Sequence, residues 1–346
     1  MNPLRILISY TFGHNSIPLG HSCARALKEL GCEVYCFDSG VKCTFDNYVL
    51  KPLTKILKTF GLAKVDLCQK SKWGAQNHKQ YLLEKAVAEF RPDILFVIRG
   101  NSFDRDFLKI LRSKYETKNL VGWWTEAPKW FDALKADAST YDKYFCIHKA
   151  GYTEADNIEY FPALAVDNHL YRKIVPIPQV QRDVVFVGVW NEQRQKVIEG
   201  ISGFPVSIYG PKWKAKNVFN PSIRRMIKQK AIWGEDLVKL YNCSKIGLNI
   251  TSWNDKKLSG LNMRVFDIPA CGTFLLTDSS EELEEYFNIG YDIEVYRDLE
   301  ELRDKLKYYL KNDTARAKIA ANGYNKVCKL PTYQDKMKDW LIKVQS

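Results

Sequence analysis

Apolar residues in this chain fall into short dense runs separated by stretches of helical period. Leu4–Tyr10 is apolar and rich in β-formers, which predicts a buried strand. After the polar loop Thr11–Ser16, the residues Leu19, Cys23, Ala26, Leu27 and Leu30 recur at helical spacing. Gly31 is placed to end that helix, and Glu33–Asp38 predicts the next strand. The alternation continues with strands at Ile94–Ile98, Leu120–Trp124 and Lys143–Ile147, and helices at Tyr81–Phe90 and Phe103–Tyr115. Val41–Lys79 is lysine-rich and aromatic without a clean period, and predicts only loop and short helix.

A second series predicts strands at Asp183–Val187, Pro205–Tyr209, Ile246–Ile250 and Thr273–Thr277. Its helices are expected at Glu192–Ile201, Glu235–Cys243, Asn262–Ala270, Ser279–Phe287, Leu299–Leu310, Asp313–Val327 and Thr332–Val344. Pro176 and Pro178 lie in the joint Asn168–Gln181 and suit a short stiff linker. The expected fold class is therefore α/β, with two Rossmann-like domains over residues 1–172 and 173–331. Open α/β sheets bind ligands at the carboxyl ends of their strands. Two such domains facing each other would enclose a cleft with one substrate on each wall.

Charge narrows the partners. Of 346 residues, 52 are Lys or Arg and 40 are Asp or Glu, a net charge of +12. The excess is +5 over 1–172 and +7 over 173–346, so it is not a basic tail. It suits nucleotide phosphates, nucleic acid or an anionic membrane surface. Nine cysteines without a CxxC pair, no secretory-type leader and no apolar stretch of about 18 residues lead to an expectation of reduced thiols. They also lead to an expectation of a cytoplasmic protein, at most peripheral to the inner face of a membrane.

Ser259–Thr277 (SGLNMRVFDIPACGTFLLT) carries the most chemistry. Its small-residue turn would place the N–H groups of Gly260, Leu261 and Asn262 at a helix start, where a phosphate can bind. Arg264 adds a charge-assisted donor. Asp267, three residues on, shares its helix face and could accept hydrogen bonds from ribose hydroxyls. The same residues also read as a capped core helix with an Arg–Asp surface pair.

That segment, read on to LLTD, resembles the nucleotide-domain signature of GT-B glycosyltransferases of the group 1 type, and within them the CgeB-like, spore-maturation-protein-like group. Tyr160–Tyr171 (YFPALAVDNHLY) is similar to the family's interdomain segment, and Asp183–Arg194 (DVVFVGVWNEQR) to its Gly-ended first strand and loop. The resemblance covers roughly residues 160–330, with WWTEAP at 123–128 a weaker match in the first half. It implies that Asp267, matching the second carboxylate of Glu–x7–Glu, binds the donor ribose. The first carboxylate falls at Ser259, where this chain has no acid. Gly260, Leu261, Asn262 and Arg264 would touch the diphosphate or sugar. Gly188 and Arg194 match the first loop, Lys212 follows a similar strand-ending Gly210-Pro211, and Trp233 would flank the nucleobase. The helix 332–346 would cross back onto the first domain.

In the first half, Gly13, His14 and Asn15 follow the first strand, Arg99 and Asn101 follow Ile94–Ile98, and Trp124 and Glu126 end Leu120–Trp124. On a GT-B frame these loops face the acceptor. His14 reads as a base, an acceptor contact or an incidental surface residue. Glu126 reads as a general base in an apolar surround or as a turn cap. His148 would reach the phosphates or the leaving group. No metal-ligand spacing is present and no cofactor or metal is expected, so helix starts and basic side chains would meet the developing diphosphate charge.

The resulting expectation is a metal-independent transfer of sugar from a nucleotide sugar, UDP-linked foremost, to a hydroxyl of a cell-surface glycan, lipid-linked glycan or protein. The seven bases and no acids of Pro211–Lys230 also admit DNA as acceptor. The alternatives are a nucleotide-sugar 2-epimerase-like isomerase and a non-catalytic nucleotide-sugar-binding protein; the missing acid at Ser259 counts against the first and for the second.

Overall fold

The computed structural model describes residues 3–13, 17–60, 71, 73–126, 131–149, 157–177, 181–229, 231–251 and 260–346. The chain divides into two compact units, 1–161 with 337–346, and 162–336. The division falls ahead of the proline-containing joint at 168–181, so Leu164, Val166 and Tyr171 belong to a core of the second unit.

The first unit is a six-stranded parallel sheet of β1 (Arg5–Tyr10), β2 (Glu33–Asp38), β3 (Ile94–Ile98), β4 (Asn119–Trp124), β5 (Lys143–Cys146) and β6 (Ile158–Tyr160). The strands run in the order β2-β1-β3-β4-β5-β6. Because β1 feeds β2 on one side while β3 lies on its other side, the direction of winding reverses between β1 and β3. β3 is an unbroken buried run, as a strand covered on both faces must be. The terminal helix Tyr333–Gln345 contributes to this unit from Met337 onward, and the Trp340 ring packs 4.5 Å from that of Phe96.

The second unit repeats the plan with β7 (Arg182–Val187), β8 (Val206–Tyr209), β9 (Ile227–Gln229), β10 (Ser244–Asn249), β11 (Phe274–Asp278) and β12 (Glu294–Tyr296). Their order is β12-β11-β10-β7-β8-β9, so the reversal lies between β7 and β10. Both sheets are parallel and flanked by helices; the architecture is α/β.

Sequence and structure differ at several elements, among them the helices Phe131–Ala138, Trp213–Lys216 and Pro221–Met226, which no periodicity announced. The edge strands β6, β9 and β12 have three residues each, too short to show a period. Ser279–Phe287 is a 3-10 turn over Glu281–Glu285 rather than a full helix. Within Val41–Lys79, a π-helical turn Asp46–Leu50 runs into a helix Lys51–Thr59, and a further helix begins at Ala75. The eight described cysteines are free thiols.

Trp340 and Phe96 are both fully buried. Trp340→Ala is therefore expected to destabilise the first unit by about 3–5 kcal/mol, read as a lower urea midpoint by tryptophan-independent far-UV circular dichroism.

Candidate functional site

The carboxyl ends of β7 and β10 carry a polar network. β7 is followed by Gly188, whose carbonyl oxygen accepts from the Trp213 indole at 2.9 Å. An alanine Cβ at Gly188 would come within 3.3 Å of the Arg194 guanidinium. Asn191 caps the helix Glu192–Gly200 through the Arg194 N–H, which turns the Arg194 side chain back over the strand ends. Its Nε donates to the Ile250 carbonyl at 3.0 Å and its Nη1 to the Val189 carbonyl at 2.9 Å. One buried guanidinium thus ties the loops after β7 and β10 together, across the point where the winding of the sheet reverses.

Arg264, at the start of the helix Arg264–Ala270, is held beside it. Its Nε donates to Asn249 Oδ1 at 2.9 Å, the residue before the Ile250 that holds Arg194. Asn262 Oδ1 accepts from the Arg264 N–H at 3.2 Å, and Asn262 Nδ2 reaches Thr251 Oγ1. Asp278, ending β11, accepts from the Thr251 N–H at 3.1 Å and from its hydroxyl at 3.0 Å. Asn249 Nδ2 donates to Thr277 Oγ1 at 2.9 Å. Burial, and secondarily the nearby Arg264 charge, pull the Arg194 guanidinium from its ordinary range to about 9, with Asp278 opposing. Two cations held together at a strand-end crevice with one offsetting carboxylate make a place that favours an anion.

The other donor-side residues fall as follows. Gly260 is buried with φ +144°, a conformation that favours glycine. Leu261 is partly buried against the core and anchors the turn. Lys212 is exposed in a left-handed conformation, φ +68°, at the start of Trp213–Lys216. Trp233 is half-buried and precedes Gly234–Asn242, with its indole N–H buried. Ser259 and Lys230 lie outside the described residues.

Asp267 requires a correction. It does not form a surface pair with Arg264: it is buried, its carboxyl beside Asp167 and bonded by the Tyr171 hydroxyl. Burial first, and then Asp167, push this carboxyl well above the usual carboxylate range, against the opposing pull of Arg264 and Tyr171.

In the first unit, Tyr10, Gly13, Arg99 and Glu126 come from the carboxyl ends of β1, β3 and β4, again where the winding reverses. Arg99 adopts φ +64°, a costly conformation for a side-chain-bearing residue. Its Nε pairs with Glu126 Oε1, so Glu126 faces a cation rather than an apolar surround. Burial pushes the Tyr10 hydroxyl up to about 12, with Arg99 pulling it down and Glu126 adding to the rise. Asn101 is exposed in the turn Gly100–Ser102. Two expectations are overturned. Trp124 is fully buried in the core with Leu134 and Tyr141, because its side chain points off the sheet face and not off the strand end. His148 is fully buried, and its Nε2 donates to the Glu126 main-chain carbonyl at 2.9 Å, so it steadies the Glu126 loop instead of meeting a ligand. His14 and Asn15 lie outside the described residues.

Sequence reasoning missed Tyr10, Asn249, Thr251 and Asp278. Each is a polar group at or just past the carboxyl end of an apolar strand, a signal the pattern already carried.

A family described as glycosyl transferase-like matches residues 192–342. The chain is 24% identical over 289 residues to spore protein CgeB of Bacillus subtilis, covering 75% of this chain and 87% of that one. Its structure is similar to that of Anabaena HepE in complex with UDP and glucose, with a TM-score of 0.68 at 12% identity over 99% of both chains. It is equally similar to a sucrose-phosphate synthase of Thermosynechococcus elongatus, with a TM-score of 0.68 at 9% identity over 99% of this chain and 98% of that one. The fold is that of the GT-B glycosyltransferases.

A Cβ on Gly210 would lie 1.9 Å from the Gly188 carbonyl oxygen, a backbone atom that cannot turn aside. Gly210→Ala is expected to displace the β7 strand end and cost more than about 2 kcal/mol, read as a lowered urea midpoint.

Proposed function

We propose that the chain is a glycosyltransferase whose second unit holds a nucleoside-diphosphate sugar. The observation that carries this is the pairing of Arg194 and Arg264 on Ile250 and Asn249 at the reversal point of the second sheet. A diphosphate is the ligand that two convergent guanidiniums at such a crevice suit best. The likeness to a UDP-bound structure supports UDP as the nucleotide. Trp233 flanks the base in this reading. Asp267 is assigned to the ribose hydroxyls in this reading.

In the transfer, the acceptor hydroxyl oxygen bonds to the anomeric carbon as the bond from that carbon to the phosphate oxygen breaks. The electron pair leaves on the diphosphate, where Arg194, Arg264 and Lys212 take the place of a metal in meeting the added charge. The acceptor hydroxyl is assigned to the first unit's strand ends, with Glu126 taking its proton and Arg99 holding Glu126 in place. A glycan or lipid-linked glycan is the acceptor class this reading favours.

Titration calorimetry with UDP, GDP and dTDP tests the donor site; failure of all three to bind would overturn it. Arg264→Ala is expected to weaken UDP binding roughly 10- to 100-fold, the worth of a lost charge-assisted hydrogen bond. Asp267→Asn should retain binding that Asp267→Ala loses, since an amide also donates and accepts. Because the diphosphate favours charged Arg194, affinity should be level from about pH 7 to about pH 9 and fall as pH rises through about 9. Arg194→Gln should bind more weakly and lack that break. Glu126→Gln should lower kcat with UDP affinity unchanged.

A further inference from the structure

The helical segment after β2 leaves an apolar stripe in water. Asp46, Leu50 and Thr54, four residues apart, turn inward and are buried. Phe45, Val49, Leu53, Ile56 and Phe60 follow one another at steps of three or four and are all exposed, so they form one stripe along the helix. Tyr48 beside it is 79% exposed and Phe60 71%. The Trp73 ring, more than half exposed, extends the patch at 6.5 Å from that of Phe45. An apolar surface of this continuity marks a contact site rather than ordinary scatter.

Its charge says what kind. Lys42, Lys51, Lys55 and Lys58 are exposed around the same segment. The one acid between Ser39 and Phe60 is Asp46, which is buried and paired with Lys51 at 2.9 Å. A second copy of this chain seated face to face would set lysines against lysines. An anionic lipid surface meets both halves of the pattern: acyl chains take the stripe, lipid phosphates take the lysines, and Tyr48 and Trp73 suit the headgroup level. We propose that this face of the first unit docks the protein on anionic phospholipid bilayers. Contact is peripheral, since among the described residues no helix is long and apolar enough to cross a membrane. The inference does not depend on the transferase reading.

Cosedimentation of the full chain with vesicles of phosphatidylcholine alone, or mixed with phosphatidylglycerol, tests it. Binding is expected only to the mixed vesicles and should fall as salt rises. Ile56→Asp with Phe60→Asp should weaken it by at least about tenfold. Lys55→Gln and Lys58→Gln should each weaken it about fivefold. Far-UV circular dichroism and UDP titration on the same samples report folding and the second unit separately, so loss of vesicle binding and loss of nucleotide binding are distinguishable. Equal binding to both vesicle types, no binding, or binding that none of these variants alters would overturn the proposal. So would concentration-dependent self-association abolished by Ile56→Asp, which would assign the face to a second copy.

Discussion

A guanidinium removed from water and tied to two main-chain carbonyls is the constraint around which the second unit is organised. Arg194 closes the gap between the loops after β7 and β10, and burial leaves its charge only partly compensated. Every neighbour responds to that charge. At Gly188 a Cβ would press on the Phe186 ring at 2.9 Å and crowd the guanidinium at 3.3 Å, Asp278 supplies a carboxylate at one remove, and Arg264 adds a second cation held by Asn249. Cations held together in a protein interior are stable only with a partner of opposite sign. The cluster thus favours an anion beside it.

The first unit solves the corresponding problem differently. There the strand ends gather an ion pair, Arg99 with Glu126, beside the buried Tyr10 hydroxyl and on a loop steadied by His148. A balanced pair suits a neutral hydroxyl, as the two arginines suit a phosphate. Under the proposed transfer, the contrast between the two clusters matches a charged donor and a neutral acceptor.

Much of this was legible in the chain, and the failures have physical causes. The long central strands announced themselves because both faces are buried, so ILFVI and DVVFV are continuous apolar runs. Edge strands of three residues did not, since a period needs length. The stretch 41–60 shows no clean period because its helix buries only a thin line of residues, and most of its apolar side chains face water. Among candidate site residues, position along the strand was readable, but side-chain direction was not. Trp124 and Glu126 are two residues apart, yet one is core and the other reaches an arginine. Asp267 was placed on a helix face shared with Arg264, but the sequence could not show Asp167 and Tyr171 closing over that face.

The discontinuous first unit also dictates an order of assembly on the ribosome. Its sheet spans residues 5–160, but the slot over Phe96 is filled by Trp340. During synthesis the early sheet must wait, with an aromatic pit open, while the whole second unit emerges and folds. The half of the molecule made first is thus the half completed last.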